Sequence, residues 1–266
     1  MREASMRKTL PMIVWQILPG AVVLLLWQWG ATTGKLDHLF FSRPSEIGAR
    51  LYKWISSGTI WSHLGITLSE AALSFIIGVT AGVAIGCLLA RVTFFSKMFD
   101  PYIRILNALP RVVLAPIFLL WFGLGIWSKV ALGVTVVFFA VFFNSYQGVR
   151  EVDPVLIQNA RMLGASERDL LRHVIFPSAL GWIFSSLHIS IGFAIVSVVV
   201  GEYLGSAKGI GYVIAQAEGI FDTTGVFAGI ALLMAVVLVV ESAVTRIERR
   251  LLRWRPKMSA IGNDIP

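Results

Sequence analysis

The side chains that most often catalyse reactions or bind metals are scattered along this chain of 266 residues. Its four histidines, His38, His63, His173 and His188, show no spacing at which they would converge with a carboxylate on a metal ion or a nucleophile. The single cysteine, Cys87, excludes an internal disulfide and a cysteine-based metal cluster. The sequence therefore predicts neither a catalytic site nor a metal site, and it argues against an enzyme.

Carboxylates interrupt three apolar stretches, at Glu70, Glu202 and Glu241. Charge inside a bilayer is costly, so such a residue is a candidate for function. Glu202 could line a solute pathway, pair with Lys208, or touch water at an interface. The three carboxylates are too scattered to form a site for a coupling ion. This argues against an ion-driven secondary transporter, which stays as an alternative.

Two arginines and an asparagine lie in a further apolar stretch. Arg111 and Arg104 could attract an anion, extend their charge to the membrane surface, or pair with Asp100. Asn107 could line the same pathway or hydrogen-bond between helices. Arg111, Asn107 and Glu202 are the residues that we predict for a solute pathway.

The composition indicates which solvent surrounds the chain. Hydrophobic residues make up 56% of it and charged residues only 14%, and the mean hydropathy is +0.77. Soluble domains have about 25% charged residues, so the bilayer is the expected surroundings. The net charge of +8 could suggest nucleic acid. However, the basic residues lie between apolar segments, so they indicate membrane topology and no nucleic-acid partner.

Six stretches are long and apolar enough to be predicted as membrane spans, since a span needs about 20 residues. The third is interrupted by prolines and arginines, which is tolerated where the backbone faces protein or water. The six spans are residues 12–31, 64–90, 102–122, 129–147, 178–204 and 223–244.

The distribution of lysine and arginine predicts the orientation. Basic residues concentrate on one side, near the N-terminus, at 91–97, at 150–172 and in the tail at 246–257. The richer side is expected to be cytoplasmic. Both termini are therefore predicted to lie inside the cell, which an even number of spans also requires, in a multi-pass protein of the inner (plasma) membrane.

Glycines in the second span repeat every four residues, at Gly78, Gly82 and Gly86. Small residues at this spacing let two helix backbones approach closely in lipid. The repeat predicts a close helix pair, the alternative being that glycine is simply common in membrane helices.

The segment between the fourth and fifth spans predicts two short helices joined at Gly164. Asp153, followed by a proline, fits a helix start. Gly164 fits the left-handed residue that ends a helix, and Ser166 with Asp169 resembles a capping box for the next one. The second helix is predicted to end before Pro177. We call this segment, residues 153–177, the elbow.

No ATP-binding loop is recognisable in the chain. The nearest segment, Gly30–Leu36, has the wrong spacing and ends in leucine where Ser or Thr is required. Residues outside the spans are divided among several loops, whereas a nucleotide-binding domain needs a contiguous block. Energy for active transport would therefore come from another subunit, and a rigid elbow is a suitable lever for that subunit to hold.

The elbow resembles the cytoplasmic signature of ABC importer permeases, which is Glu-Ala-Ala, three residues, Gly, nine residues and Ile-x-Leu-Pro. The second alanine, the glycine and the proline of the signature are matched by Ala160, Gly164 and Pro177. Its first two positions are occupied by Gln158 and Asn159, and other apolar residues replace Ile and Leu. The match lies in the positions and spacing that form the elbow.

Within that family the chain is most similar to sulfonate/nitrate/taurine importer permeases, through residues 107–125, 142–154 and 198–214. The resemblance implies an all-α, methionine-importer-like (type I) permease core with about six transmembrane helices and a coupling helix. It also implies a second permease copy, two ATP-binding subunits and a periplasmic binding protein. ATP and Mg would be bound by the partner ATPase, and this chain would hold no cofactor. The residues that would contact the ATPase are Ala160, Leu163, Gly164, Ala165, Ser166 and Pro177.

Three regions are expected along the chain. Residues 1–62 would form the N-terminal tail, the first transmembrane helix and an outer loop. Residues 63–250 would form the permease core with the elbow, and residues 251–266 a basic cytoplasmic tail. The resemblance implies ATP-driven import of a small solute, an anion such as an aliphatic sulfonate, taurine or nitrate. Import of a vitamin precursor is the alternative.

Overall fold

The structure is a computed structural model that describes the backbone of residues 2–251 and the side chains of residues 15–246 other than Thr93. This part of the chain is helical, as predicted. A 3₁₀ turn, Arg111–Leu114, precedes α6, and a π-helical turn, Leu171–Ile175, connects α9 to α10. The helices are α1 (Arg2–Thr32), α2 (His38–Phe41), α3 (Pro44–Ser56), α4 (Thr59–Arg91), α5 (Thr93–Ala108), α6 (Ala115–Phe122), α7 (Ile126–Arg150), α8 (Pro154–Met162), α9 (Glu167–Leu170), α10 (Phe176–Leu204), α11 (Ile210–Gly219) and α12 (Thr223–Leu251).

Four of the described helical stretches are long and apolar enough to cross a membrane, or five if a bent pair counts as one span. They correspond to the second to sixth predicted spans. The first predicted span, residues 12–31, lies within α1, and the side chains at its start are outside the described residues. The four unbent stretches are Thr59–Arg91, Ile126–Arg150, Glu167–Leu204 and Thr223–Arg246.

The third predicted span is not one straight helix. Residues 94–108 and 111–122 meet at an angle of 88°, with Leu109 and Pro110 in extended conformation between them. Proline removes a backbone donor and drives the residue before it out of the helical region, so α5 ends at Ala108. The interruption predicted within the third span, 102–122, is therefore present at Pro110, where it divides the span into two helices.

The glycine repeat of α4 packs against α7, as predicted. A Cβ added to Gly78 would lie 2.7 Å from the side chain of Val137, and one added to Gly82 or Gly86 would lie 2.8–2.9 Å from a backbone carbonyl of α7. Any larger residue would push the helices apart. Successive glycines of α4 contact successively later residues of α7, so the two helices run parallel. Their backbones are in direct contact along this repeat.

Helix α7 lies between α4 and α10 and runs antiparallel to α10. Gly148 at the end of α7 packs against Trp182 at the start of α10, and Gly201 at the end of α10 packs against Lys129 at the start of α7. We call the end of the bundle where α7 stops the elbow end and the other the far end. Small and β-branched side chains form the core between the three helices: Ala71, Val137, Val141, Ile191, Ala194, Ile195 and Val198.

At the far end, α2 and α3 are fastened to the start of α12. The hydroxyls of Ser42 and Thr224 lie 2.7 Å apart, and the Arg50 guanidinium pairs with the Asp222 carboxylate. Asp222 also accepts a hydrogen bond from the backbone N–H of Gly225 at 3.0 Å. The segment before α4 is thus tied to the last membrane helix through polar contacts.

Candidate functional site

The elbow begins and turns as the sequence predicts. The Asp153 carboxylate accepts a hydrogen bond from the Val155 N–H at 2.8 Å and caps α8. After α8 the chain turns at Gly164, which has φ +85° and open space on the side where any other residue would carry its Cβ. Glycine adopts this left-handed conformation without strain. The predicted stop of the first elbow helix is confirmed.

Backbone hydrogen bonds make this turn rigid. The N–H of Ala165 donates to the carbonyl of Ala160, and the N–H of Gly164 donates to that of Arg161, each at 3.0 Å. This is the paired arrangement that closes a helix at a left-handed glycine. Ser166 then caps α9, and reciprocal bonds with Asp169 complete the predicted capping box. Ala160, Gly164, Ala165 and Ser166 therefore form one hydrogen-bonded corner.

Two large apolar side chains project from the tip of the corner. Met162 is 85% exposed and Leu163 is 88% exposed. Leu170, by contrast, is buried and anchors α9 against the body of the protein. Exposed apolar residues next to a buried anchor are typical of a surface that another protein covers.

An ion-pair network holds the two arms of the elbow together. Glu167 accepts a hydrogen bond from Arg161 of α8 at 2.8 Å and lies 3.8 Å from Arg91 at the end of α4. All three side chains are substantially exposed. Such pairs contribute little stability, so the network orients the arms and the capping bonds hold them.

The prediction that the second elbow helix ends before Pro177 was wrong. Helix α9 passes through the π-helical turn directly into α10, and Pro177 lies in the first turn of α10. Proline has no N–H to donate to the preceding turn, and the π-helical turn, in which the Phe176 N–H donates to the Leu171 carbonyl, lies at the place where the regular bonding is interrupted. The elbow is therefore continuous with a membrane helix, and a force on α8 and α9 would act on α10.

A cavity of about 490 Å³ lies between the 3₁₀ turn, α7 and α10. Its lining is mostly apolar, and its polar members are Asn107, Arg111, Asn144 and Ser197. Two of the predicted pathway residues, Arg111 and Asn107, thus lie together in it. A largely apolar cavity with a few converging polar groups is the usual form of a small-molecule site.

Arg111 is the one charged residue among the cavity's lining residues. Its guanidinium donates to the Asn107 side-chain oxygen at 2.6 Å and lies 4.9 Å from the centre of the Phe139 ring. Its Nε atom is buried without a hydrogen-bond partner. The same guanidinium also donates to the Asn107 backbone carbonyl at 3.3 Å, so Asn107 and the Phe139 ring fix its position at the cavity.

A second cavity, of about 570 Å³, adjoins the first and shares Asn107, Phe143 and Asn144 with it. Arg104 lines this second cavity and forms a 2.8 Å ion pair with Asp100, so the pairing considered from the sequence is the observed one. The two cavities lie side by side along α7, and aromatic and amide side chains line the boundary between them.

Glu202 does not lie with Arg111 and Asn107. It is 1% exposed, within a group of ionisable side chains from three helices that also contains Glu70 (2%) and Lys129 (0%). We call Glu70, Lys129 and Glu202 the buried charge cluster. Lys208, the partner considered from the sequence, is exposed instead.

Each member of the buried charge cluster has specific partners, and Glu70 interacts with Glu202 through its side chain. Glu202 accepts hydrogen bonds from the Thr67 hydroxyl at 2.7 Å and the Gly211 N–H at 2.8 Å. Lys129 donates to the carbonyls of Leu124 at 2.6 Å and Gly125 at 3.1 Å. One carboxylate oxygen of Glu70 has no partner.

Sequence reasoning did not find this cluster. Lys129 was assigned to a span border, and no role was predicted for Glu70. The available signal was the same for all three members, a charged residue adjoining a long apolar run. Their convergence depends on helix packing, which sequence spacing does not report.

Comparison with known proteins agrees with the fold. Residues 78–253 match the family described as binding-protein-dependent transport system inner membrane component. The chain is 35% identical over 239 residues (90% of this chain and 86% of the relative) to SsuC of Bacillus subtilis (strain 168), provisionally named an aliphatic sulfonates transport permease protein. It is 32% identical over 239 residues (89% of each chain) to the riboflavin transport system permease protein RibX of Chloroflexus aurantiacus.

Among solved structures, the inward-facing MetNI methionine ABC transporter superposes with a TM-score of 0.58 at 20% identity, over 72% of this chain and 93% of that chain. This likeness shows a shared methionine-importer-like fold. Together with the family match, it assigns a non-catalytic, multi-pass membrane role. The chain belongs to the binding-protein-dependent transport system inner membrane components, the permease subunits of ABC importers.

Proposed function

We propose that this permease forms the pathway for a small anion and is driven by a separate ATPase that holds its elbow. The observation that carries the proposal is the exposed tip at Met162 and Leu163, mounted on a capped corner that continues into α10. A rigid lever continuous with a membrane helix can transmit movement of a bound subunit to the pathway.

The ATPase contact comprises the predicted residues Ala160, Leu163, Gly164, Ala165, Ser166 and Pro177. Leu163 supplies apolar contact area, while Gly164, Ala165 and Ser166 maintain the shape of the corner. Pro177 begins the helix that receives the force. ATP and Mg are bound by the partner ATPase, and a periplasmic binding protein delivers the solute.

The proposed assembly has two permease copies and two ATPase subunits. Large apolar side chains on α5 and α6 beside the cavities are exposed, including Leu106, Leu120 and Trp121. A second copy packed on this face would bury them and close the path on its open side. In this arrangement the elbow end and both termini face the cytoplasm, as the lysine and arginine distribution predicts.

The nature of the solute is inferred from Arg111. A guanidinium in a cavity otherwise lined by neutral residues favours an oxyanion such as an aliphatic sulfonate, taurine or nitrate. The SsuC relative supports this class, whereas the RibX relative at similar identity supports a vitamin or vitamin precursor as the second candidate.

The elbow proposal is tested with two matched glycine variants, Gly164→Arg and Gly34→Arg. Both glycines have positive φ (+85° and +74°) and open space around them, and Gly34 lies at the far end. The backbone strain that arginine introduces should therefore be similar at the two positions, about 1–2 kcal/mol. Tagged wild type and each variant are purified in detergent from the native host, and bound proteins are identified by mass spectrometry.

We expect an ATP-binding subunit to co-purify with wild type and Gly34→Arg, and to be lost or functionally uncoupled with Gly164→Arg. Equal binding and equal ATP-driven uptake in both variants would contradict the elbow's role. A wild-type chain that purifies alone and moves solute in ATP-free vesicles would favour the secondary-transporter alternative.

The anion proposal is tested with Arg111→Gln, and Arg43→Gln serves as the control because Arg43 pairs with Glu46 at the start of α3 and lines neither cavity. Cells expressing each variant are given radiolabelled taurine, ethanesulfonate or riboflavin. Loss of a charge-assisted hydrogen bond should reduce anion uptake by about 10- to 100-fold in Arg111→Gln. Uptake of riboflavin alone by the wild type would overturn the anion assignment.

A further inference from the structure

The buried charge cluster connects two loops at the far end. Lys129 donates to the carbonyls of Leu124 and Gly125, which follow α6. Glu202 accepts from the N–H of Gly211, in the first turn of α11. A helix C-terminus is partially negative and a helix N-terminus partially positive. The carboxylate of the cluster therefore meets a helix end of complementary charge, whereas the ammonium is held by the loop carbonyls that precede α7.

The first N–H groups of α11 are capped from neighbouring helices. The N–H of Gly209 donates to Nδ1 of His63 at 3.1 Å, and that of Ile210 donates to the Thr67 hydroxyl at 2.9 Å. The N–H of Gly211 donates to Glu202 at 2.8 Å. Helices usually cap these groups with residues of their own chain segment or with water. Here α4 and α10 supply all three acceptors, which fixes α11 to both helices.

The loop backbone approaches the cluster too closely for any residue other than glycine. A Cβ on Gly209 would overlap the Glu202 carboxylate, and one on Gly211 would overlap the carbonyl of Val199. Gly209 also has φ +113°. These two glycines are required by the close contact with Glu202.

Burying three ionisable groups is costly, and replacing such groups by apolar residues is often neutral or stabilising. Their presence is understandable if they fix one arrangement of the helices that meet there. The cluster draws on α4, α7 and α10, and it reaches the loop at 123–125 through Lys129 and the loop at 205–209 through the close approach of Gly209 to Glu202. The same loops touch each other, since a Cβ on Gly205 would lie within 3.3 Å of the side chains of Leu119 and Leu124.

We propose that the buried charge cluster is a lock that makes the far end of the permease one rigid body, with Glu202 as the residue that positions α11. For transport, this inference rests on the function proposed above. The far end then follows movements of the elbow as a unit, without opening of the joints between α4, α7, α10 and α11. Glu202 acts through the α11 backbone and does not contact the solute.

The lock is tested by hydrogen exchange of the backbone amides at 209–211, read by mass spectrometry on the full-length permease in detergent. Glu202→Gln keeps the side-chain shape but replaces one acceptor oxygen by a donor nitrogen. Thr67→Val removes the acceptor of the Ile210 N–H and serves as a second variant if Glu202→Gln does not fold. Glu218→Gln is the control, because Glu218 is exposed on α11 and contacts Tyr203 outside the cluster.

In Glu202→Gln and Thr67→Val we expect exchange at 209–211 to be about 10- to 100-fold faster, as for loss of a buried hydrogen bond. We expect no change in Glu218→Gln. Wild-type exchange rates in folded Glu202→Gln or Thr67→Val would overturn the lock, whatever the protein transports.

The proposal that the far end moves as one rigid body is tested on the wild-type permease in complex with its co-purifying ATPase. Hydrogen exchange at 209–211 is compared without nucleotide and after trapping with ATP and vanadate. Equal protection at 209–211 in both states supports the proposal, and a large difference overturns it. If no ATPase co-purifies, the proposed function fails, whereas fast exchange in Glu202→Gln still supports the lock.

Discussion

The two ends of this permease are stabilised in opposite ways. At the elbow end, hydrogen bonds between residues close in sequence shape a corner whose largest apolar side chains face outwards. At the far end, charged side chains from α4, α7 and α10 are buried together and hold loops distant in sequence. The elbow thus presents an exposed apolar surface on a locally fixed corner, whereas the far end keeps its own helices in register.

This contrast separates two requirements of a lever. The part that is held needs a fixed local shape and an exposed contact surface, which helix caps supply at small energetic cost. The part that responds needs helices that cannot slide past one another, which close glycine packing and a buried polar network supply. Variants at the two ends should therefore lower the stability of the protein by different amounts. We expect the largest losses of stability at the far end.

Lys129→Met should have the largest effect. It leaves Glu70 and Glu202 without their buried positive neighbour and the carbonyls of Leu124 and Gly125 without a donor. Removing one partner of a buried charged group costs about 3–5 kcal/mol. Thermal unfolding in detergent should show a strongly lowered midpoint. The exposed Lys208→Met is the control, and equal midpoints for the two variants would contradict the role of the cluster.

Disrupting the Arg50–Asp222 contact should have an intermediate effect that depends on pH. Partial burial alone would raise the pKa of Asp222. The hydrogen bonds from Arg50 and from the Gly225 N–H, with the Arg50 charge, outweigh burial and hold this pKa below its ordinary value of 3.8. A carboxylate with a lowered pKa in the folded state stabilises that state above the ordinary value. This stabilisation is lost as the pH falls through the lowered pKa.

We therefore expect the midpoint of wild-type thermal unfolding to fall as the pH is lowered below about 4. In Asp222→Asn the contribution of this carboxylate to that fall should be absent. At neutral pH that variant should be less stable by about 1–3 kcal/mol, as for a charge-assisted hydrogen bond. Glu46→Gln, which alters an exposed pair on the same α3, is the control. An unchanged acid dependence in Asp222→Asn would refute the assignment.

Ser166→Ala should have the smallest effect on stability. It removes the capping box of α9, and a lost cap costs about 0.5–2 kcal/mol. The unfolding midpoint should fall slightly, while hydrogen exchange should accelerate in the elbow and stay unchanged at 209–211. Ser69→Ala, which removes an intrahelical bond on exposed α4 surface, is the control. Faster exchange at 209–211 in Ser166→Ala would show that the two ends are not independent.

The elbow was largely predictable because its determinants are local. Asp153, Gly164 and the Ser166–Asp169 pair each act on residues within three positions of themselves in the chain, so their types alone predicted the caps and the turn. The glycine repeat of α4 was predictable for a related reason, since it follows the period of the helix. Only the end of the second elbow helix was misplaced.

The rest of the site depends on contacts between distant segments. Pro110 signalled an interruption, but the 88° bend depends on how α5 and α6 pack on α7. Thr67 and Glu202 are separated by 135 residues, and Ile210 and Thr67 by 143. A single sequence does not reveal which helices are neighbours, so the convergence of Glu202 with Lys129 and Glu70 could not be predicted.

The exposed elbow tip has a consequence for biogenesis. Met162 and Leu163 are almost fully accessible in the isolated chain, so under the proposed function a permease synthesised without its ATPase exposes these apolar side chains to water. Chaperones and proteases recognise such surfaces. The lifetime of the permease should then be set by the supply of its partner, and the same two side chains that serve the lever would also report whether assembly is complete.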